Sequence, residues 1–128
     1  MTQEDKDLLI RDLSARLPYK VKVQIPDKHG GYTAVIESID IDGCITDSEG
    51  ECLEVEKVKP YLFPISSMTE EQKEDMIKSS CGYGSDKNVF DWYNKNYFDY
   101  RGLIPMGLAK DATGLNIYWL WKRKYWLY

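Results

Sequence analysis

The spacing of apolar residues at the start of the chain predicts an amphipathic helix. Three leucines recur at every fourth position: Leu9, Leu13 and Leu17. This spacing places them on one face of a helix. Thr2 followed by Asp5 three residues later matches a capping box, and Pro18 cannot continue the helix. The pattern therefore predicts a helix over residues 1–17.

From residue 18 to residue 64 the apolar period changes from four to two. The clearest alternation is formed by Tyr19, Val21, Val23 and Ile25. In the next predicted strand, residues 32–41, the apolar parity switches, which indicates a β-bulge near Glu37 and Ser38. Asp42-Gly43 predicts a two-residue hairpin turn, and residues 47–50 predict a second turn. Short strands this close together favour a small, curved antiparallel sheet, an SH3-like partial barrel.

Residues 65–116 have the pattern of a helical segment. Thr69 and Gln72 match a second capping box, and the helix that follows has few apolar residues, which is typical of a surface helix. A third helix is predicted from Asp86, with an apolar stripe that would cover the sheet: Val89, Tyr93 and Tyr97. Glycines and Pro105 predict loop over residues 101–114. Residues 117–128 form an aromatic tail.

These elements predict an α+β fold in a single domain, residues 1–128. Its parts would be an N-terminal helix (1–17), a small sheet (18–64), a C-terminal helical segment (65–116) and the tail (117–128). A chain of 128 residues with 43% hydrophobic and 13% aromatic residues can bury a hydrophobic core.

Charge and apolar run length limit the classes of partner and the compartment. The net charge of -4 disfavours a general nucleic-acid binder, because such proteins neutralise phosphates with clustered lysine and arginine. No apolar run approaches the ~18 residues that a membrane span needs, and the first residues lack the organisation of a secretory signal. A cytoplasmic protein without a membrane span is predicted. The irregular spacing of Cys44, Cys52 and Cys81 favours reduced thiols.

The sequence contains no recognisable catalytic, metal or cofactor motif. His29 is the single histidine, and no C-x-x-C pair is present. The acidic run from Asp40 to Glu51 lacks the spacing of a calcium loop, and Gly82-Tyr83-Gly84 lacks the remainder of a nucleotide-binding motif. We therefore expect no enzyme, no cofactor and no metal, although paired carboxylates brought together by the fold stay open.

Two stretches resemble a known family. They are residues 58–72 (VKPYLFPISSMTEEQ) and 90–104 (FDWYNKNYFDYRGLI). With the opening helix, they resemble a family of small uncharacterised proteins from gut anaerobic bacteria and their prophages, over roughly residues 1–116. The resemblance implies no activity, because no function is assigned to that family. Residues 76–89 are shorter than the family pattern, and the tail from Trp119 does not match it.

Aromatic residues beside an arginine are the strongest indication of function. Tryptophan, tyrosine and arginine dominate the binding energy of many protein interfaces. The candidate partner-binding residues are Trp92, Tyr100, Arg101, Trp119 and Trp121. We predict a non-catalytic interaction module that binds a protein partner or a second copy of itself. The tail is alternatively a last strand or short helix docked on the sheet or on another subunit.

Nucleic-acid binding is the alternative hypothesis, although the net charge disfavours it. In this hypothesis the small barrel and the basic, aromatic tail contact phosphates while tyrosines stack on bases. The lysines assigned to it are Lys20, Lys22, Lys57 and Lys59.

Overall fold

A computed structural model describes residues 1–27, 29–40, 42–80 and 86–118, and within them it forms three α-helices and seven strands. The helices are α1 (Gln3–Arg16), α2 (Glu70–Ser80) and α3 (Asp86–Lys95). The strands are β1 (Lys22–Ile25), β2 (Tyr32–Ile39), β3 (Ile45–Asp47), β4 (Cys52–Leu53), β5 (Lys59–Pro64), β6 (Phe98–Asp99) and β7 (Lys110–Asp111). The predicted α+β class is confirmed.

The strands form one mixed sheet in the order β4-β3-β2-β1-β5-β6, and β7 also pairs with β5. Strands β1 to β5 pair antiparallel. Both β6 and β7 run parallel to β5. A parallel pair requires a crossover connection, and here the chain passes through α2 and α3 between β5 and β6. The antiparallel pairing predicted for residues 18–64 is found in β1 to β5, but the whole sheet is mixed, because the parallel strands β6 and β7 were not predicted.

Four local features that the sequence predicts in the helices and strands are confirmed. Thr2 and Asp5 form both hydrogen bonds of the capping box at the start of α1. In β1 the buried side chains alternate with half-buried ones. The register between β2 and β3 shifts between Ile36 and Ser38, where the bulge was predicted. The capping box of α2 is formed by Thr69 and Gln72.

Aspartates organise the two hairpin turns of β2 to β4. The Asp40 carboxylate accepts hydrogen bonds from the backbone N–H of Asp42 and Cys44, at 2.9 and 2.8 Å. Asp47 repeats this arrangement four residues before Glu51. Since Asp40 and Cys44 are the hydrogen-bonded residues that flank the first turn, the predicted two-residue turn is wrong, and a longer aspartate-glycine turn replaces it. Glycines 43 and 50 supply the positive φ that such turns need.

Two of the three cysteines are joined across this edge of the sheet. Cys44 and Cys52 form a disulfide, with Cα atoms 6.2 Å apart, a separation within the ordinary range. The β3–β4 hairpin brings them together, because Thr46 is paired with Cys52 and Cys44 lies two residues away on the same strand side. The expectation of reduced thiols is wrong for this pair. Cys81 lies outside the described residues.

The core lies between α1, the sheet and the segment that follows α3. Its largest fully buried apolar side chains come from all three parts: Leu9, Leu13, Val21, Val23, Ile36, Ile45, Val58, Leu62, Phe98 and Leu103. The predicted loop over residues 101–114 is therefore partly core, and it includes β7. Within the described residues, no helix has the length and apolar content needed to cross a membrane.

Candidate partner-binding surface

A buried ion cluster joins α1 to the residues after α3. Asp12 and Arg16 are both fully buried. The Arg16 Nε and Nη2 atoms donate to the two oxygens of Asp12 at 2.9 and 3.1 Å. Arg101 donates from Nη1 to Asp12 Oδ1 at 2.8 Å. One carboxylate thus holds two guanidinium groups, and Arg101 is the outer of the two, with 19% of its side chain exposed.

Arg16 also satisfies backbone oxygens of the C-terminal half. Its Nη2 atom donates to the Phe98 carbonyl at 2.6 Å, and Nη1 donates to the Tyr93 carbonyl at 3.4 Å. A buried guanidinium needs acceptors on several sides because it carries five N–H donors. Arg16 therefore fixes the position of α1 relative to α3 and β6.

Beside the ion cluster lies a group of stacked side chains that we call the aromatic ledge: Phe90, Tyr93, Tyr100 and Arg101. The Phe90 and Tyr100 rings stack with centroids 5.0 Å apart, and Tyr93 stacks on Tyr100 at 5.5 Å. The Arg101 guanidinium lies 4.5 Å from the Tyr100 ring centroid, within the range of a cation–π contact. Phe90 is 45% exposed, so the ledge presents a ring to solvent.

The backbone holds the ledge in place on both sides. Tyr97 lies two residues after the end of α3 and has a positive φ of 62°, which turns the chain toward β6. The buried Asp99 carboxylate accepts hydrogen bonds from the N–H groups of Leu103 and Ile104, at 2.8 and 2.9 Å. Tyr100 and Arg101 lie inside this closed turn. Their side chains are therefore presented from a constrained segment.

Of the predicted site residues, the structure brings Tyr100 and Arg101 together and places Trp92 elsewhere. The Trp92 ring is only 4% exposed. It stacks on Phe98 with centroids 5.5 Å apart, and its Nε1 atom donates to Asp75 of α2 at 2.9 Å. Trp92 thus packs α3 between α2 and β6, and little of its side chain is exposed. Positions 119 and 121, the remaining candidates, lie outside the described residues.

Sequence reasoning did not assign a role to Asp12, Arg16 or Phe90. The signal for the first two lies in α1, where Asp12 and Arg16 fall on the face of Leu9 and Leu13. A charged pair four residues apart on an apolar face is expected to be buried and paired. Phe90 carried no comparable signal, because exposure of one aromatic residue on a helix depends on how the helix packs.

The end of the described chain packs beside β1 and against the hydrophobic core. The Tyr118 hydroxyl accepts from the N–H of Lys22 at 2.7 Å and donates to its carbonyl at 3.2 Å. Tyr118 also stacks on Tyr97, with ring centroids 3.7 Å apart. Burial raises the pKa of both phenols. The ammonium of Lys22 donates to the Ile117 carbonyl at 3.0 Å, so this lysine is already engaged within the chain.

No protein-family model, curated protein or solved structure matches the chain. The resemblance to the family of small proteins from gut anaerobes therefore stays a prediction.

Proposed function

We propose that the chain is a non-catalytic interaction module whose aromatic ledge binds a protein partner. The partner would place an apolar side chain on Phe90 and a carboxylate against Arg101. The observation that carries this proposal is the exposed Phe90 ring, which stacks on Tyr100 next to the Arg101 guanidinium. Among the described residues, Arg101 has one carboxylate partner, Asp12, which also binds Arg16.

The charge of the ion cluster supports an acidic partner. Among the described residues, Asp12 is the one carboxylate recorded in contact with Arg16 or Arg101. Two cations and one anion leave the cluster with a net positive charge beside the ledge. An added carboxylate would balance that charge, and arginine is well suited to bind one through paired hydrogen bonds.

Pre-organisation of the ledge supports useful affinity. Binding normally loses free energy when flexible side chains become ordered, roughly 0.5–1.5 kcal/mol for each one. Arg101 is held by Asp12 and Tyr100, and Tyr100 is held between stacked neighbours. Little further ordering is needed on this side of the interface. Aromatic rings and arginine are also the groups that most often dominate interface energies.

The test begins with affinity capture by the full chain from an extract of the source cells, alongside Phe90→Ala and Leu115→Ala variants. Leu115 is the matched control, because it is another exposed apolar side chain and lies outside the ledge. A captured protein is then purified and titrated. We expect Phe90→Ala to weaken binding about tenfold or more, Arg101→Gln to weaken it as well, and Leu115→Ala to leave it unchanged.

The proposal fails if no purified protein binds in a Phe90-dependent way. It also fails in its partner assignment if light scattering of the chain alone finds a dimer that Phe90→Ala dissociates, because the occupant would then be a second copy.

Weak nucleic-acid binding remains the alternative proposal. It is supported by Lys57 and Lys59, which line one groove, and it is weakened by the engagement of Lys22 with the Ile117 carbonyl and by the net charge of -4. If the chain binds no nucleic acid even at low salt, this proposal is excluded, since the electrostatic contribution to binding is largest there.

We also keep as proposals that strands β1 to β5 form an SH3-like partial barrel and that the protein is cytoplasmic. Disulfides persist mainly in oxidising compartments, so the Cys44–Cys52 disulfide counts against the cytoplasmic proposal. Alkylation of free thiols at the moment of lysis measures whether the pair is oxidised in the cell, and a pair protected from alkylation would contradict a cytoplasmic location.

A further inference from the structure

A lysine-lined groove lies where β1, β5 and β7 meet. Its volume is about 180 Å³. Its lining residues are Gln24, Pro26, Glu56, Lys57, Lys59 and Lys110. Gln24 and Lys59 are directly paired across β1 and β5. On the far side of β5, Lys110 is paired with Tyr61, two residues after Lys59.

The positive charges of this groove are only partly balanced. Within the described residues, the side-chain ammonium groups of Lys59 and Lys110 form no hydrogen bond and no ion pair. Lys57 forms one exposed ion pair with Glu54 at 3.6 Å, and exposed pairs of this kind contribute little.

The carboxylates closest to the groove have other partners. Glu56 binds the ammonium of Lys6 at 2.6 Å, and this contact lowers the pKa of Glu56. Asp111 follows Lys110 in the chain, but its carboxylate accepts from the Thr113 N–H at 2.8 Å. Neither the Lys59 nor the Lys110 ammonium is therefore in contact with a carboxylate at this concave surface, although Glu56 and Asp111 keep their negative charges.

We infer that this groove binds the phosphate group of a small molecule, with Lys59 and Lys110 as its principal contacts. Two ammonium groups without a carboxylate in contact match the charge of a phosphate monoester, which carries about two negative charges at neutral pH. Gln24 adds a neutral amide that can donate to a phosphate oxygen. Lys57 stands at the rim and can exchange Glu54 for the ligand.

General attraction of anions to the protein does not explain such binding. The chain has a net charge of -4, so its overall field repels anions. The Debye length is about 8 Å at physiological ionic strength, and the local lysines therefore dominate only for a ligand seated in the groove. Binding at this site should be local, saturable and weakened by salt.

The test is a titration of the full chain with pyrophosphate and with inorganic phosphate, followed by NMR at low and at physiological salt. We expect saturable shifts confined to the backbone of the groove residues. Lys59→Gln and Lys110→Gln should each weaken pyrophosphate binding about tenfold. Lys78→Gln is the matched control, because it removes one exposed lysine from α2 and should change the affinity less than twofold.

The unmodified chain keeps the test decisive even if a lysine variant folds poorly, because the NMR shifts locate the site without any substitution. Shifts that spread over the surface, that fail to saturate, or that Lys78→Gln reduces equally would overturn the inference. A single-stranded oligonucleotide that binds more tightly than pyrophosphate through the same lysines would overturn the assignment to a small molecule. Phe90→Ala should leave pyrophosphate binding intact, so this test is independent of the ledge.

Discussion

Replacement of Asp12 by asparagine tests the ion cluster that supports the aromatic ledge. The substitution keeps the volume of the side chain and removes its charge, so no cavity complicates the result. Asp12 accepts three hydrogen bonds from Arg16 and Arg101. In the variant, an amide nitrogen faces guanidinium donors, and the fully buried Arg16 has no counter-ion.

The expected loss is about 3–5 kcal/mol of unfolding free energy, the usual result when one partner of a buried ion pair is removed. Small domains have only about 5–15 kcal/mol in total. With an m-value of about 1.5 kcal/mol/M, the urea midpoint should fall by roughly 2–3 M. Arg101→Gln should lose only about 1 kcal/mol, since Arg101 is partly exposed and the Asp12–Arg16 pair remains.

Urea unfolding followed by far-UV circular dichroism measures both variants. Asp7→Asn is the matched control, because Asp7 lies on the exposed side of the same helix and accepts one hydrogen bond, from Gln3. Its effect should stay within about 0.5 kcal/mol. An Asp12→Asn variant that loses less than about 1 kcal/mol, or no more than Asp7→Asn, would refute the reasoning, because a buried Arg16 cannot lose its counter-ion at so small a cost.

Two further predictions concern the edge hairpin and the phenols near β1. The Cys44–Cys52 disulfide closes a short loop. Its reduction and the substitution Cys52→Ser should therefore each lower the unfolding free energy by about 2.5 kcal/mol. If a reductant does not change the stability of the native chain while Cys52→Ser lowers it, the disulfide is not the source of that stability. Burial raises the pKa of Tyr97 and Tyr118 in the folded chain. As the pH rises, these phenols therefore lose their protons first in the unfolded chain. The stability that the two protonated phenols contribute is present below about pH 10 and is lost as the pH rises above it. Urea unfolding on both sides of that pH should show a smaller fall for Tyr118→Phe than for the unmodified chain, and equal falls would contradict the assignment.

The elements that sequence reasoning predicted correctly depend on local chemistry. The capping boxes at Thr2 and Thr69, the alternation in β1 and the bulge near Glu37 each involve residues within a few positions of one another. The turn at Asp42-Gly43 was placed correctly but its length was not. Asp40 rather than Asp42 supplies the accepting carboxylate. An aspartate at either position fits the sequence pattern of a turn.

The elements that were missed depend on contacts between distant residues. Strand β5 contains Pro60, which normally argues against a central strand, and β6 and β7 have only two residues each. Their pairing with β5 appears only when α2 and α3 complete the crossover. The predicted stripe of α3 is only partly buried: Tyr97 is in the core, but Val89 and Tyr93 are half-buried. The helix ends at Lys95, and Trp92 is buried against Phe98 while Phe90 faces solvent.

Charge separation along the chain connects the two proposed sites. Between residues 27 and 56, which contain β2 to β4, many carboxylates occur and Lys28 is the one lysine or arginine. The cations assigned to the ledge and the groove, Arg101 and Lys110, both come from the segment that β6 and β7 attach to β5. An anionic partner would thus be repelled by the hairpin half more strongly than by the segment after α3, where Asp99 and Asp111 equal Arg101 and Lys110 in number. In an otherwise acidic protein, this arrangement favours one orientation of approach, because wrong orientations bring like charges together.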